Sequence, residues 1–189
     1  MKLSSVISSC FFILWLITPS YSTDLINSTC KTCSIKSPFL NYNFCITTLE
    51  AIPVARHVTN LQGLALIAIE LAMQNATNTT FKIEKMLNRT QEYDSFALNC
   101  LQYCMEMYVD ATSVLETSIE AFLSGEFFIA DVLMVAVMEA ASTCEEMFME
   151  KEGEICPLSI ENYNLFEIGN IAICIINMFI TSKYPSLNS

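Results

Sequence analysis

His57 is the only histidine in this 189-residue chain. A nucleophile activated by an imidazole base therefore has one candidate partner. That histidine follows Pro53 and Arg56 close to a predicted helix start, where a capping or surface role is expected instead of general-base work. The acids offer no better centre. Glu145 and Glu146 are neighbours in sequence, and side chains at i and i+1 of a helix are not expected to face one substrate. Glu150, Glu152 and Glu154 fall where a helix is predicted to end, as a solvated charge run. There is no glycine loop to cradle phosphate, no calcium-loop spacing, and no carboxylate pair placed for glycoside hydrolysis. The residues describe a protein that is not an enzyme and needs no cofactor.

Cysteine and asparagine are the residues whose spacing does carry chemistry. The chain has nine cysteines. Cys10 lies in a leader that begins with Lys2, runs through the apolar stretch from Val6 to Ile17 and ends as Pro19-Ser20-Tyr21-Ser22. This pattern predicts a signal peptide over 1–22, with cleavage after Ser22. Its apolar run is shorter than the roughly 20 residues that span a bilayer. Export leaves Cys30, Cys33, Cys45, Cys100, Cys104, Cys144, Cys156 and Cys174, an even set that reads as a disulfide framework. Counting alone leaves roughly a hundred full pairings open. A metal centre is not expected, because Cys30-x-x-Cys33 has no second close pair and structural zinc wants four converging ligands. Four glycosylation sequons follow the leader, at Asn27, Asn75, Asn78 and Asn88, each an acceptor where it is exposed.

The formal net charge is -11. Such a surface is repelled by phosphate backbones and anionic lipid, which excludes nucleic acid and membrane as expected partners and favours a protein with a basic patch.

Long helices must position these groups. The segment 24–50 reads as two short helices, about 24–33 and 41–50, folded into a hairpin that Pro53 terminates. From about 57 a stripe through Leu61, Leu64, Ala65, Ala68 and Leu71 resumes at Ile83, Met86 and Leu87. It is either one long helix with a polar middle or two helices broken at 75–80. Asp94 is a predicted N-cap. Beyond it Cys104, Tyr108, Ala111, Leu115, Ile119 and Phe122 recur in steps of three and four. Gly125 interrupts, and Ala130, Leu133, Val137, Ala140, Cys144 and Met147 repeat the rhythm. After Gly153 and Pro157 comes a last stripe through Leu165, Ile168, Ala172, Ile175 and Phe179. Stripes this wide are buried helix faces. The C-terminal apolar stretch contains Glu167, Asn170 and Asn177, which are costly in lipid, so it is expected to be a core helix. The fold class is all-α: an up-and-down four-helix bundle preceded by a helical hairpin, disulfide-stabilised, in one domain from 23 to 189.

Leu25-Ile26-x-x-x-Cys30, Tyr42-Asn43-Phe44-Cys45 with Leu49, the run from Leu64 to Ala72, Cys104-Met-Glu-Met-Tyr108 and Thr143-Cys144-Glu145-Glu146-Met147-Phe148 resemble one family in order and spacing. It is the plant invertase and pectin methylesterase inhibitor family, with the nearest likeness in its branch of tree-pollen-allergen-like invertase inhibitors. The resemblance spans about 24 to 181. It implies a secreted inhibitor in the apoplast or cell wall, less so the vacuole, monomeric or weakly dimeric. Such a protein docks one-to-one over the substrate cleft of a pectin methylesterase or an invertase. It also implies the disulfides Cys30–Cys45 and Cys104–Cys144; the latter pair lies 21 and 19 residues from Gly125 on adjacent stripes. On the chain-entropy model these are worth about 3 and 4 kcal/mol. Cys33, Cys100, Cys156 and Cys174 lie outside that pattern. Cys100 sits one turn before Cys104, and Cys156 precedes the last helix, so Cys100–Cys156 is expected, leaving Cys33 and Cys174 bridged or buried free.

In the family's invertase inhibitors a Pro-Lys-Phe motif between the second and third bundle helices enters the target's active site. Its positions correspond here to Glu126, Phe127 and Phe128, the candidate partner-binding residues. Only the last matches. The cationic probe is missing, and Glu126 would meet an acidic cleft with like charge. Of the two rings, Phe128 is expected to plug the bundle end and Phe127 to face a partner. A non-inhibitory storage, defence or pollen-surface protein on the same scaffold is the alternative.

Overall fold

The computed structural model describes residues 21–188. The predicted leader therefore lies outside the described residues, except for Tyr21 and Ser22, which open the first helix. Two helices, α1 (Tyr21–Lys36) and α2 (Tyr42–Glu50), form the hairpin. α1 runs past the expected end at 33 and stops before Ser37-Pro38, because a residue preceding proline is pushed out of helical geometry. Asn41 caps α2, its Oδ1 accepting from the Phe44 N–H at 3.1 Å.

Four long helices follow: α3 (Leu61–Leu87), α4 (Ser95–Leu123), α5 (Phe127–Met149) and α6 (Ser159–Lys183). α4 packs between α3 and α5, and α6 closes the ring between α5 and α3. α3 and α5 thus stand diagonally across one core, which includes Leu64, Ile69, Leu101, Tyr108, Leu115, Met134, Phe148 and Leu165. All described regular structure is helical, as the stripes predict.

α3 is one helix through the polar 75–80 stretch. Its threonines explain the continuity. The Thr79 hydroxyl donates to the Asn75 carbonyl at 2.8 Å and the Thr80 hydroxyl to Ala76 at 3.0 Å. Their side chains are thus satisfied within the helix instead of competing with it. Asp94 caps α4 as expected, its Oδ1 accepting from the Ala97 N–H at 2.9 Å, while Lys151 pairs with the same carboxylate. The cap and the lysine hold the Asp94 carboxyl below its ordinary value. Gly125 (φ 76°) and Gly153 (φ 82°) take left-handed geometry at the next two turns, where a side chain would strain the backbone.

Three disulfides fasten this arrangement. Cys30–Cys45 clasps the hairpin and Cys104–Cys144 ties α4 to α5. Cys33–Cys174 bolts α1 to α6 across a sequence separation of 141. The expected Cys100–Cys156 bridge is not formed, and both residues are buried free thiols. The Cys100 thiol points to α5 and donates to the Met147 carbonyl at 3.7 Å. The Cys156 sulfur instead lies against the Asn162 amide at 3.5 Å. Burial pushes both thiols up, Cys156 to about 12.

α6 is the core helix the sequence predicts. Its Glu167 is 6% exposed and accepts the Asn41 N–H at 3.3 Å, so the hairpin turn is seated on a buried carboxylate. α5 and α6 are each long and apolar enough to cross a bilayer by length and composition, yet both are integral to the bundle. Only a third of the apolar window of α5 is buried, which leaves it an outward apolar face.

Candidate functional site

The turn between α4 and α5 is built on an aromatic cluster. Phe127 stands 5.4 Å from Phe122 and 5.1 Å from Phe179, ring centre to ring centre, and the last two are 5.2 Å apart in an edge-to-face arrangement. Such contacts add to simple area burial. Lys183, at the end of α6, donates to the Gly125 carbonyl at 3.1 Å, and its ammonium lies 5.5 Å from the centre of the Phe127 ring. The turn is therefore latched to α6 from both sides.

The two rings exchange the burial expected of them. Phe127 is half-buried and serves as the plug, because Phe179 and Lys183 of α6 claim it. Phe128 is 47% exposed, with the ring of Tyr184 beside it at 5.4 Å between centres. Glu126 is exposed and opens α5 without capping it through its side chain. From Phe128 an apolar stripe continues at helical spacing through Val132, which is 65% exposed, and Val135, with Ile129 alongside. Glu126 and Asp131 lie close in sequence to the start of this stripe. Asp131 accepts from the Asn177 amide at 3.0 Å, and burial holds its carboxyl above the ordinary value.

The sequons lie elsewhere. Asn27 on α1, Asn78 on α3 and Asn88 at the end of α3 are exposed. Asn75 is half-buried, and its Oδ1 is enclosed without a hydrogen-bond partner. Three of the four positions are thus on or at the end of α3, diagonal to the apolar stripe of α5.

Glu145 and Glu146 both line one open groove of about 470 Å³ between the C-terminal half of α5 and the N-terminal half of α6. Neighbouring helical residues point about 100° apart, and a groove this wide accommodates both. Its signal in the sequence was the pairing of those acids with Tyr163 and Phe166, which only the register of α6 against α5 makes visible. His57 is exposed in a short 3-10 turn (Ala55–His57), away from that groove. Among the described residues no three His, Cys, Asp or Glu side chains gather to hold a metal ion.

Comparisons place this geometry among known proteins. The family model described as plant invertase/pectin methylesterase inhibitor matches residues 24–175. A protein of Platanus acerifolia named "Putative invertase inhibitor" is 33% identical over 179 residues, covering 94% of this chain and 98% of that one. "Pectinesterase inhibitor 12" of Arabidopsis thaliana is 28% identical, covering 92% and 98%. Among solved structures, a mutant form of a pectin methylesterase inhibitor from Arabidopsis superposes with a TM-score of 0.65 at 23% identity, covering 74% of this chain and 90% of that one, a likeness of fold.

Proposed function

The chain belongs to the plant invertase/pectin methylesterase inhibitor family, and on that premise we propose that it is a secreted, non-catalytic inhibitor of a plant carbohydrate enzyme. The target class is pectin methylesterase or acid invertase, met in the apoplast or cell wall. The observation that carries this reading is a family match over nearly the whole described chain, on the same helical architecture. Inhibition by such a scaffold is steric, one protein covering the cleft of the other.

The exposed Phe128 ring and the stripe behind it support a contact role for the α4–α5 turn, since aromatic residues are common anchors of interfaces. Glycans at Asn78 and Asn88 would sit across the bundle from that turn and leave it open. The test is complex formation: the disulfide-intact protein is mixed at mildly acidic pH with purified pectin methylesterases and acid invertases, and the mixtures are run by size-exclusion chromatography with light scattering. A one-to-one complex with members of one class is expected. Separate elution from both classes overturns the reading.

One observation favours a second reading. Glu126 and Phe127 stand where the invertase inhibitors of the family carry proline and lysine, and Phe127 is turned into the bundle. A non-inhibitory storage, defence or pollen-surface protein would keep the scaffold with such a turn. A folded protein that ignores both enzyme classes is the result that selects it.

A further inference from the structure

We propose that the groove between α5 and α6 is a binding site for a small organic ammonium ion with an aromatic body. Its volume, about 470 Å³, is in the range of small-molecule pockets, roughly 300–1,000 Å³. Met149, Tyr163 and Phe166 supply apolar and aromatic wall, with Met149 and Tyr163 68% and 49% exposed.

The anionic end of the site is fixed from the core. Both oxygens of Glu145 are held, Oε1 by the Ser159 hydroxyl at 2.6 Å and Oε2 by the Asn162 amide at 2.8 Å. Asn162 is itself buried, and its Oδ1 accepts from the hydroxyl of fully buried Tyr108 at 2.7 Å. A chain of hydrogen bonds from the bundle core thus sets one carboxylate at the groove wall, and Glu146 adds a second, freely exposed one.

Neither carboxylate has an ion-pair partner among the described residues. Of the cations at that end of the bundle, Lys82 pairs with Glu161, Lys151 with Asp94 and Glu154, and Arg89 with Glu92, while Lys85 stands on α3, diagonal to α5. Two uncompensated carboxylates beside two aromatic rings match an ammonium on an aromatic body, through charge and through ring–cation attraction. The net charge of the chain raises the local concentration of any cation and repels an anionic ligand of the same shape.

Three probes share one ring and differ in charge: tryptamine, neutral tryptophol and indole-3-acetate. They are titrated into the isotope-labelled, disulfide-intact protein at neutral pH and followed by amide chemical shifts. Tryptamine is expected to saturate one site, with shifts centred on Met149, Tyr163 and Phe166. Tryptophol should bind at least about tenfold more weakly, and indole-3-acetate should not bind. Glu146→Gln, at an exposed position, should weaken tryptamine severalfold with an unchanged melting temperature. Ser142→Trp should fill the groove and abolish binding in a protein that still melts cooperatively. Equal binding of the three probes, shifts centred elsewhere, failure of tryptamine to saturate below about 10 mM, or wild-type binding by both variants overturns the site. None of these outcomes depends on whether the protein inhibits an enzyme.

Discussion

Phe127 and Phe128 are adjacent and chemically identical, yet a single helical step gives them opposite work. Phe127 meets Phe122, Phe179 and the Lys183 ammonium; Phe128 meets the rim and solvent. Phe127→Ala should therefore cost about 2–4 kcal/mol of stability, in the range of large-to-small changes at packed aromatic sites. Phe128→Ala should leave the melting temperature within a few degrees and weaken the target complex about tenfold or more. Thermal unfolding and a binding titration on the same two variants check both halves. The reverse pattern would restore Phe127 to the interface. The pair itself was legible in the sequence as a candidate contact. Which ring turns outward was not, because residues about fifty positions later in the chain decide it. The same limit hid the groove acids: i and i+1 spacing on α5 says nothing of what α6 places opposite.

Between elements, the Cys33–Cys174 bridge is the least legible and the most consequential feature. The family pattern implied the other two disulfides, and helical stripes put Cys104 and Cys144 level. Cys33 and Cys174 are 141 residues apart, and their meeting depends on α1 continuing to Lys36 and on the register of α6 beneath it. Position in the sequence pairs Cys100 with Cys156 instead, because both lie near one end of the bundle; their thiols point to different neighbours. The bridge joins the hairpin to the bundle, so replacing Cys33 and Cys174 together with serine should destabilise the protein by about 2–5 kcal/mol. Hydrogen exchange should show the loss first in α1 and α2, with α4 and α5 still protected. Uniform exchange in all six helices, or no loss of stability, would mean that the hairpin is held by packing alone. Helix number, order and the Asp94 cap were readable from periodicity and residue type, since those are local. The continuity of α3 is open in the sequence because its Asn-Thr run reads as a break until the threonine hydroxyls are seen to bond back along the helix.

At the scale of the whole molecule, acidity is expected to stabilise the fold. Burial raises the Glu167 and Asp131 carboxyls above their ordinary values of 4.5 and 3.8. A carboxyl raised in the folded state binds more protons there than in the unfolded chain. Its contribution is fully present below the unfolded pKa and is lost as pH rises through the folded one. Asp94 carries the opposite sign, being lowered, and its contribution is lost as pH falls; it is exposed, so its weight is small. The melting temperature should accordingly fall as pH is raised from about 4.5 to 8. Relief of general repulsion among acids predicts the same trend, but Glu167→Gln separates the two causes by flattening the fall. An unchanged slope in that variant would assign the effect to net charge.

The proposed inhibitor would work by covering the cleft of a carbohydrate enzyme, and the direct measurement is inhibition itself. Initial rates of purified pectin methylesterases and acid invertases are followed while the disulfide-intact protein is added at mildly acidic pH. A stoichiometric, one-to-one loss of rate is expected with one of the two classes, weakened by Phe128→Ala. Full activity of both classes at micromolar concentrations of folded protein would contradict it.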